Sequence, residues 1–126
     1  YKDHHFTGFT VAGITTSLVY ENASLVFDLG QGLPFHIPKV HYFLTHGHSD
    51  HAGGIAYVLS QRSLWNQAKA HVHCHPFYEK PLRTIIEQWE YMEDFKFDYE
   101  LHPMAPGERV TVSRDTIVEI FPTLHR

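Results

Sequence analysis

Residues 45–54 read Thr45-His46-Gly47-His48-Ser49-Asp50-His51-Ala52-Gly53-Gly54, with three imidazoles and one carboxylate inside six consecutive positions. His46 and His48 stand two residues apart, so in extended backbone both rings project to one side and can grip a single ion. Asp50 and His51 form a second pair. Being adjacent, they cannot easily share the first pair's ion, and they suit a second one roughly 3.5–4 Å away, the spacing of two-metal hydrolases. Gly47, Gly53 and Gly54 leave the backbone room to turn tightly around these side chains. A merely solvated polar loop would leave the clustering unexplained.

The flanks place this loop between a strand and a helix. Val40 to Leu44 is an apolar run that reads as a buried strand, and Ile55, Val58 and Leu59 fall at the i, i+3, i+4 spacing of a short helix. Upstream, Phe9 to Ala12, Thr16 to Tyr20 and Ser24 to Asp28 are β-branched and aromatic runs that predict an antiparallel meander. Gly30, Gly32, Pro34 and Pro38 then break the pattern. Downstream, His71 to Cys74 predicts a strand that Pro76 ends. Pro81 stands where a helix tolerates proline, in its first turn. Leu82, Ile85, Ile86, Trp89 and Met92 continue at helical spacing, opposite Arg83, Glu87, Glu90 and Asp94, which predicts an amphipathic helix. Pro103 to Gly107 reads as loop, and Val110 to Val112 and Thr116 to Phe121 as two strands around Ser113-Arg114-Asp115. The whole predicts one α+β domain over residues 1–126.

Composition narrows the function. A chain of 126 residues, 43% hydrophobic and 19% charged, can bury a core, which excludes disorder and coiled coil. Ten Lys and Arg against 14 Asp and Glu leave a net charge of −4, which argues against coating nucleic acid by bulk electrostatics but leaves room for a local phosphate site. Cys74 is the single cysteine, so no intramolecular disulfide and no Cys-rich zinc motif exists, and a reducing, cytoplasmic setting is expected. No run of about 18 apolar residues spans a bilayer, so no membrane association is expected. Twelve histidines outnumber the ten lysines and arginines together and call for a chemical role.

The stretch Thr45 to Gly54 resembles the H-x-H-x-D-H signature of the metallo-β-lactamase superfamily, and its HGHSDHAGG wording is most similar to the ribonuclease Z (tRNA 3′ endonuclease) branch. Phe27-Asp28-Leu29-Gly30 is similar to the family's early strand ending in Asp and Gly. Phe121-Pro122-Thr123-Leu124-His125 is similar to the strand that delivers a later histidine ligand. The resemblance implies the four-layer αββα sandwich of that family, of which this chain is the first half with the start of the second sheet. It implies that His46, His48 and His125 bind one zinc and that Asp50 and His51 bind the other, with Mn2+ as the alternative ion, and that Asp28 orients the loop without being a ligand. The family's bridging aspartate and final histidine have no counterpart before Arg126. The ligand set is therefore expected to be completed by a missing C-terminal half, and the isolated piece is expected to be inactive.

By the same resemblance, the expected activity is that of a zinc-dependent phosphodiesterase that removes the 3′ trailer of precursor tRNA, acting as a homodimer. Two ions would hold a hydroxide for in-line attack on phosphorus, and Asp50 would be the catalytic residue that accepts the nucleophile's proton. A thioester hydrolase of the glyoxalase II kind, a small-molecule phosphodiesterase on the same scaffold, and a non-catalytic fragment that works through a partner half are the alternatives. Other residues take plainer expectations. His71, His73 and His75 alternate along a strand and so share a face, which invites a third metal site; with no carboxylate in local register they are expected on the exposed or half-buried face of an edge strand, and His36, His41 and His102 in structural places. Cys74 points the other way, as a small core residue. Between Glu79 and Glu108 eight acidic residues face Lys80, Arg83 and Lys96, which disfavours phosphate there and leaves Lys39, Arg62 and Lys69 as cations flanking the loop.

Overall fold

In the computed structural model, which describes residues 4–11, 15–32 and 34–121, the N-terminal β-branched runs form strands β1 (Phe6–Val11), β2 (Thr15–Tyr20) and β3 (Leu25–Leu29). They pair antiparallel, as the meander predicts, with a 3-10 turn at Glu21–Ala23 joining the second and third. Strands β4 (His41–Phe43), β5 (Ala70–Cys74) and β6 (Tyr99–Pro103) extend the sheet in parallel, in the order β1-β2-β3-β4-β5-β6. Parallel neighbours need a crossover. Helices α1 (Ser49–Ala52) and α2 (Ile55–Leu64) supply one, and α3 (Pro76–Glu93) the next. A separate hairpin of β7 (Arg109–Ser113) and β8 (Thr116–Glu119) forms a second sheet. The architecture is mixed α and β, and the sheet's parallel half carries the 45–54 loop at the end of β4.

Both longer helices cover one face of the large sheet. Val58 and Leu59 of α2 and Leu82 and Ile86 of α3 join Tyr42, Val72, Cys74 and Leu101 in a single buried cluster. Each such side chain contributes roughly 1.5–3 kcal/mol by leaving water. Among the described residues, no helix is long and apolar enough to cross a membrane.

Several sequence expectations change. Helix α3 begins at Pro76 rather than near Pro81, because Pro76 occupies its first turn and the His75 side chain caps it by accepting from Phe77 N at 3.0 Å. Pro81 therefore lies inside the helix. The buried stripe of α3 is Leu82, Ile86 and Glu90, whereas Ile85, Trp89 and Met92 are exposed. Glu90 goes inward because its carboxylate accepts the Phe97 backbone N–H at 2.8 Å, which anchors the chain after the helix. Strand β6 escapes periodicity, since Glu100, His102 and Pro103 look loop-like in isolation. With β6 in place, β5 is an internal strand, and His73 is buried instead of lying on an edge.

His36 is fully buried beneath β2, its Nε2 2.6 Å from Ser17 Oγ, and burial pushes its imidazole down to about 4. Above pH 6.5 the ring is neutral in both folded and unfolded chains. As the pH falls below 6.5 the unfolded chain takes up the proton first, so stability is lost progressively until about pH 4. Moving from pH 7.5 to pH 5 is expected to cost about 2 kcal/mol through this group. Urea unfolding at the two pH values checks it: His36→Gln should lose that much less on acidification than the parent protein.

Candidate metal centre

The loop is built by a close backbone crossing. Gly30 N donates to His51 O at 3.1 Å and Gly54 N donates to Gly30 O at 2.8 Å, which ties the turn after β3 to the segment joining α1 and α2. A Cβ on Gly54 would stand 2.2 Å from the Gln31 carbonyl carbon and 2.3 Å from Gly32 N. Those neighbours are backbone and cannot rotate away. Gly54→Ala is therefore expected to destabilise by about 3 kcal/mol, at the upper end of overpacking, as read from urea midpoints. Gly47 serves the same end, because a Cβ there would meet the Tyr78 ring at 2.8 Å.

Asp28 organises the loop. It is buried at the end of β3 with φ +58°, a left-handed conformation that Asp tolerates better than most side chains. Its Oδ1 accepts from Thr45 N at 2.8 Å, and its Oδ2 accepts from Thr45 Oγ1 at 2.7 Å and from His51 Nδ1 at 2.8 Å. A carboxylate only accepts, so His51 carries its proton on Nδ1 and presents a bare Nε2. The Thr45 hydroxyl proton is likewise committed to Asp28. Its oxygen, 2.9 Å from His46 Nδ1, then accepts from that ring, which puts the ring's lone pair on Nε2 as well. One buried carboxylate thus sets the tautomers of two imidazoles. Thr45 went unassigned in the sequence reading, since a hydroxyl relay leaves no spacing signal.

The remaining predicted residues gather beside these two. The His46 ring lies 4.0 Å from that of His51 and 4.5 Å from that of His48, centroid to centroid. Asp50 Oδ2 lies 3.4 Å from His51 Nε2. Two lone-pair donors at that distance match neighbouring ligands of a tetrahedral ion, which bonds of 2.0–2.1 Å place roughly 3.3–3.4 Å apart. Three imidazoles and a carboxylate, with the tautomers of His46 and His51 held by a second layer of hydrogen bonds, are donors that suit a divalent transition ion. His125, the expected further ligand, lies outside the described residues. A cavity of about 830 Å³ opens beside His46 and His48 and is also lined by Phe43, His73, Tyr78 and Ile120.

The flanking cations do not serve this cavity. Lys39 pairs with Glu21 and Lys69 with Glu100, while Arg62 is buried and donates to Ala68 O at 2.6 Å. Cys74 is a core residue as expected, and burial pushes its thiol up to about 11, so it is no nucleophile at neutral pH.

No family model matches the chain. It is 29% identical over 124 residues to the chloroplastic tRNase Z of Arabidopsis thaliana, covering 98% of this chain and 35% of that protein. It is 24% identical over 118 residues to the nuclear ribonuclease Z of Triticum aestivum, covering 94% of this chain and 67% of that one. The ribonuclease Z of Thermococcus onnurineus is 26% identical over 102 residues, covering 73% of this chain and 31% of that protein. The chain thus spans about a third of the length of the Arabidopsis chloroplastic and Thermococcus relatives.

Proposed function

We propose, from a chain whose homologues along nearly its whole length are named tRNase Z or ribonuclease Z, that it forms part of a metal-dependent endoribonuclease that removes the 3′ trailer of precursor tRNA. The observation that carries this reading is the pair of imidazoles oriented by the Asp28 hydrogen bonds, with the Asp50 carboxylate 3.4 Å from His51 Nε2. In it, His46, His48 and His125 hold one zinc and Asp50 and His51 the other, with Mn2+ as the alternative. The bound ions supply Lewis-acid activation of water and offset the negative charge that grows at phosphorus.

The chain's own residues do the rest. Asp50, partly exposed at the start of α1, takes the proton from the attacking water. Asp28 and Thr45 keep His51 and His46 from turning, so the ligand nitrogens need no reorganisation when substrate arrives. The separate β7–β8 hairpin supports the αββα sandwich as the fold of the complete protein, with a further stretch supplying the bridging carboxylate and the general acid for the leaving 3′ oxygen. The product is a tRNA with a free 3′ hydroxyl.

The test is a panel assayed side by side with the complete protein: precursor tRNA with a defined trailer, a chromogenic phosphodiester and a thioester. Cleavage of the precursor at one position supports the reading. Turnover of the thioester or the small diester without the RNA would move the chain to another hydrolase of the same scaffold, and silence on all three would mark a binding module.

A further inference from the structure

On the sheet face opposite the helices, the parallel strands align a second set of metal-binding side chains. In register, His41 stands beside His71 and His71 beside Glu100, while Phe43 stands beside His73 and His73 beside His102. Residues two apart on a strand share a face. The rings stack accordingly, His41 on His71 at 5.2 Å, His71 on His102 at 5.2 Å and His73 on His102 at 4.8 Å. Glu100 brings a negative charge to the array.

We propose that His71, Glu100 and His102 form a second transition-metal site, distinct from the 45–54 loop and selective for an ion that takes imidazole and carboxylate ligands, such as zinc. His71 Nδ1 lies 2.9 Å from His102 Nε2, and Glu100 Oε2 lies 3.4 Å from His102 Nε2 and 3.9 Å from His71 Nδ1. The three distances average close to the roughly 3.3–3.4 Å edge of a tetrahedral ligand face. The two facing nitrogens share one proton, which moves to the far nitrogen of its own ring when the ion enters, so no charge is created. Lys69 approaches the other oxygen, Oε1, at 3.5 Å and leaves Oε2 to the imidazoles.

A second observation points the same way. His73, buried at 5% exposure, turns Nε2 to His41 Nδ1 at 3.2 Å, and its Nδ1 has no hydrogen-bond partner. A buried polar group without a partner is costly and calls for an explanation. Imidazoles stacked beside the ligands hold the His71 and His102 rings in place, as outer-layer groups do in metal sites. Among the described residues, His71 is half-buried and Glu100 exposed.

The experiment titrates the complete protein carrying both His48→Ala and Asp50→Ala, which together disable both ions of the loop site, with Zn2+ in competition with a chromophoric chelator. One ion per chain is expected to remain, and adding His102→Ala or Glu100→Gln is expected to weaken it at least about tenfold. Glu100 is exposed and His102 half-buried, and far-UV circular dichroism checks that the fold persists. Zinc binding that is absent in the His48→Ala, Asp50→Ala protein, or that survives both added substitutions undiminished, would overturn the site. Because the loop site is already disabled, neither result depends on whether the protein cleaves tRNA.

Discussion

His48→Ala in the complete protein is expected to lower bound zinc by about one ion per chain and to slow trailer cleavage at least about a thousandfold, while leaving stability within about 0.5 kcal/mol. The stability expectation follows from position. His48 is exposed and stands at the N-cap of α1, yet its side chain makes no capping bond there, so truncation removes no helix support. The functional expectation follows from ligand geometry, because the His48 ring adjoins that of His46 at 4.5 Å and an ion that loses one of its imidazole ligands is held and positioned far less well. Elemental analysis reads the metal directly. Unchanged zinc in a folded His48→Ala protein would remove the ligand assignment.

Asp28→Asn should act on the same centre without touching it. The wild-type carboxylate receives three donors, two of them on Oδ2. An isosteric amide can keep Oδ1 for Thr45 N, but then it turns N–H groups toward the Thr45 hydroxyl and His51 Nδ1, both of which must donate. His51 escapes by moving its proton to Nε2, the nitrogen needed for the ion. Zinc affinity is expected to fall about 10–100-fold, as for other outer-layer substitutions, and stability by about 1–3 kcal/mol from the mismatched buried groups. Chelator competition and thermal melts measure both. A variant that melts lower but binds zinc as tightly as the parent would leave Asp28 a purely structural residue.

How far the sequence could be read depended on whether the information was local. The strand–loop–helix setting of residues 45–54 was legible because the apolar run, the glycines and the i, i+3, i+4 pattern are all short-range. The antiparallel meander was legible for the same reason. Strand β6 was not, since its pairing with β5 is nonlocal and Glu100 and His102 carry no alternation signal of their own. That miss also misplaced His71 and His73, because whether β5 is an edge depends on β6. Glu90 shows the limit of periodicity in α3: a carboxylate drawn inward by one backbone N–H reverses the face that hydrophobicity assigns. In the 45–54 loop, residue spacing marks the imidazoles and Asp50 as candidates, but the Thr45 relay that fixes a tautomer depends on atoms brought together from β3 and the loop.

The most direct measurement is single-turnover cleavage of a trailer-bearing precursor tRNA by the complete protein, stripped of metal by chelation and then titrated with Zn2+. Cleavage should vanish on stripping, return with zinc to give one product with a free 3′ hydroxyl, and fail to return in Asp50→Ala at any zinc concentration. Cleavage that persists without metal, or that zinc restores equally to Asp50→Ala, would contradict the assignment of this loop as the catalytic metal centre.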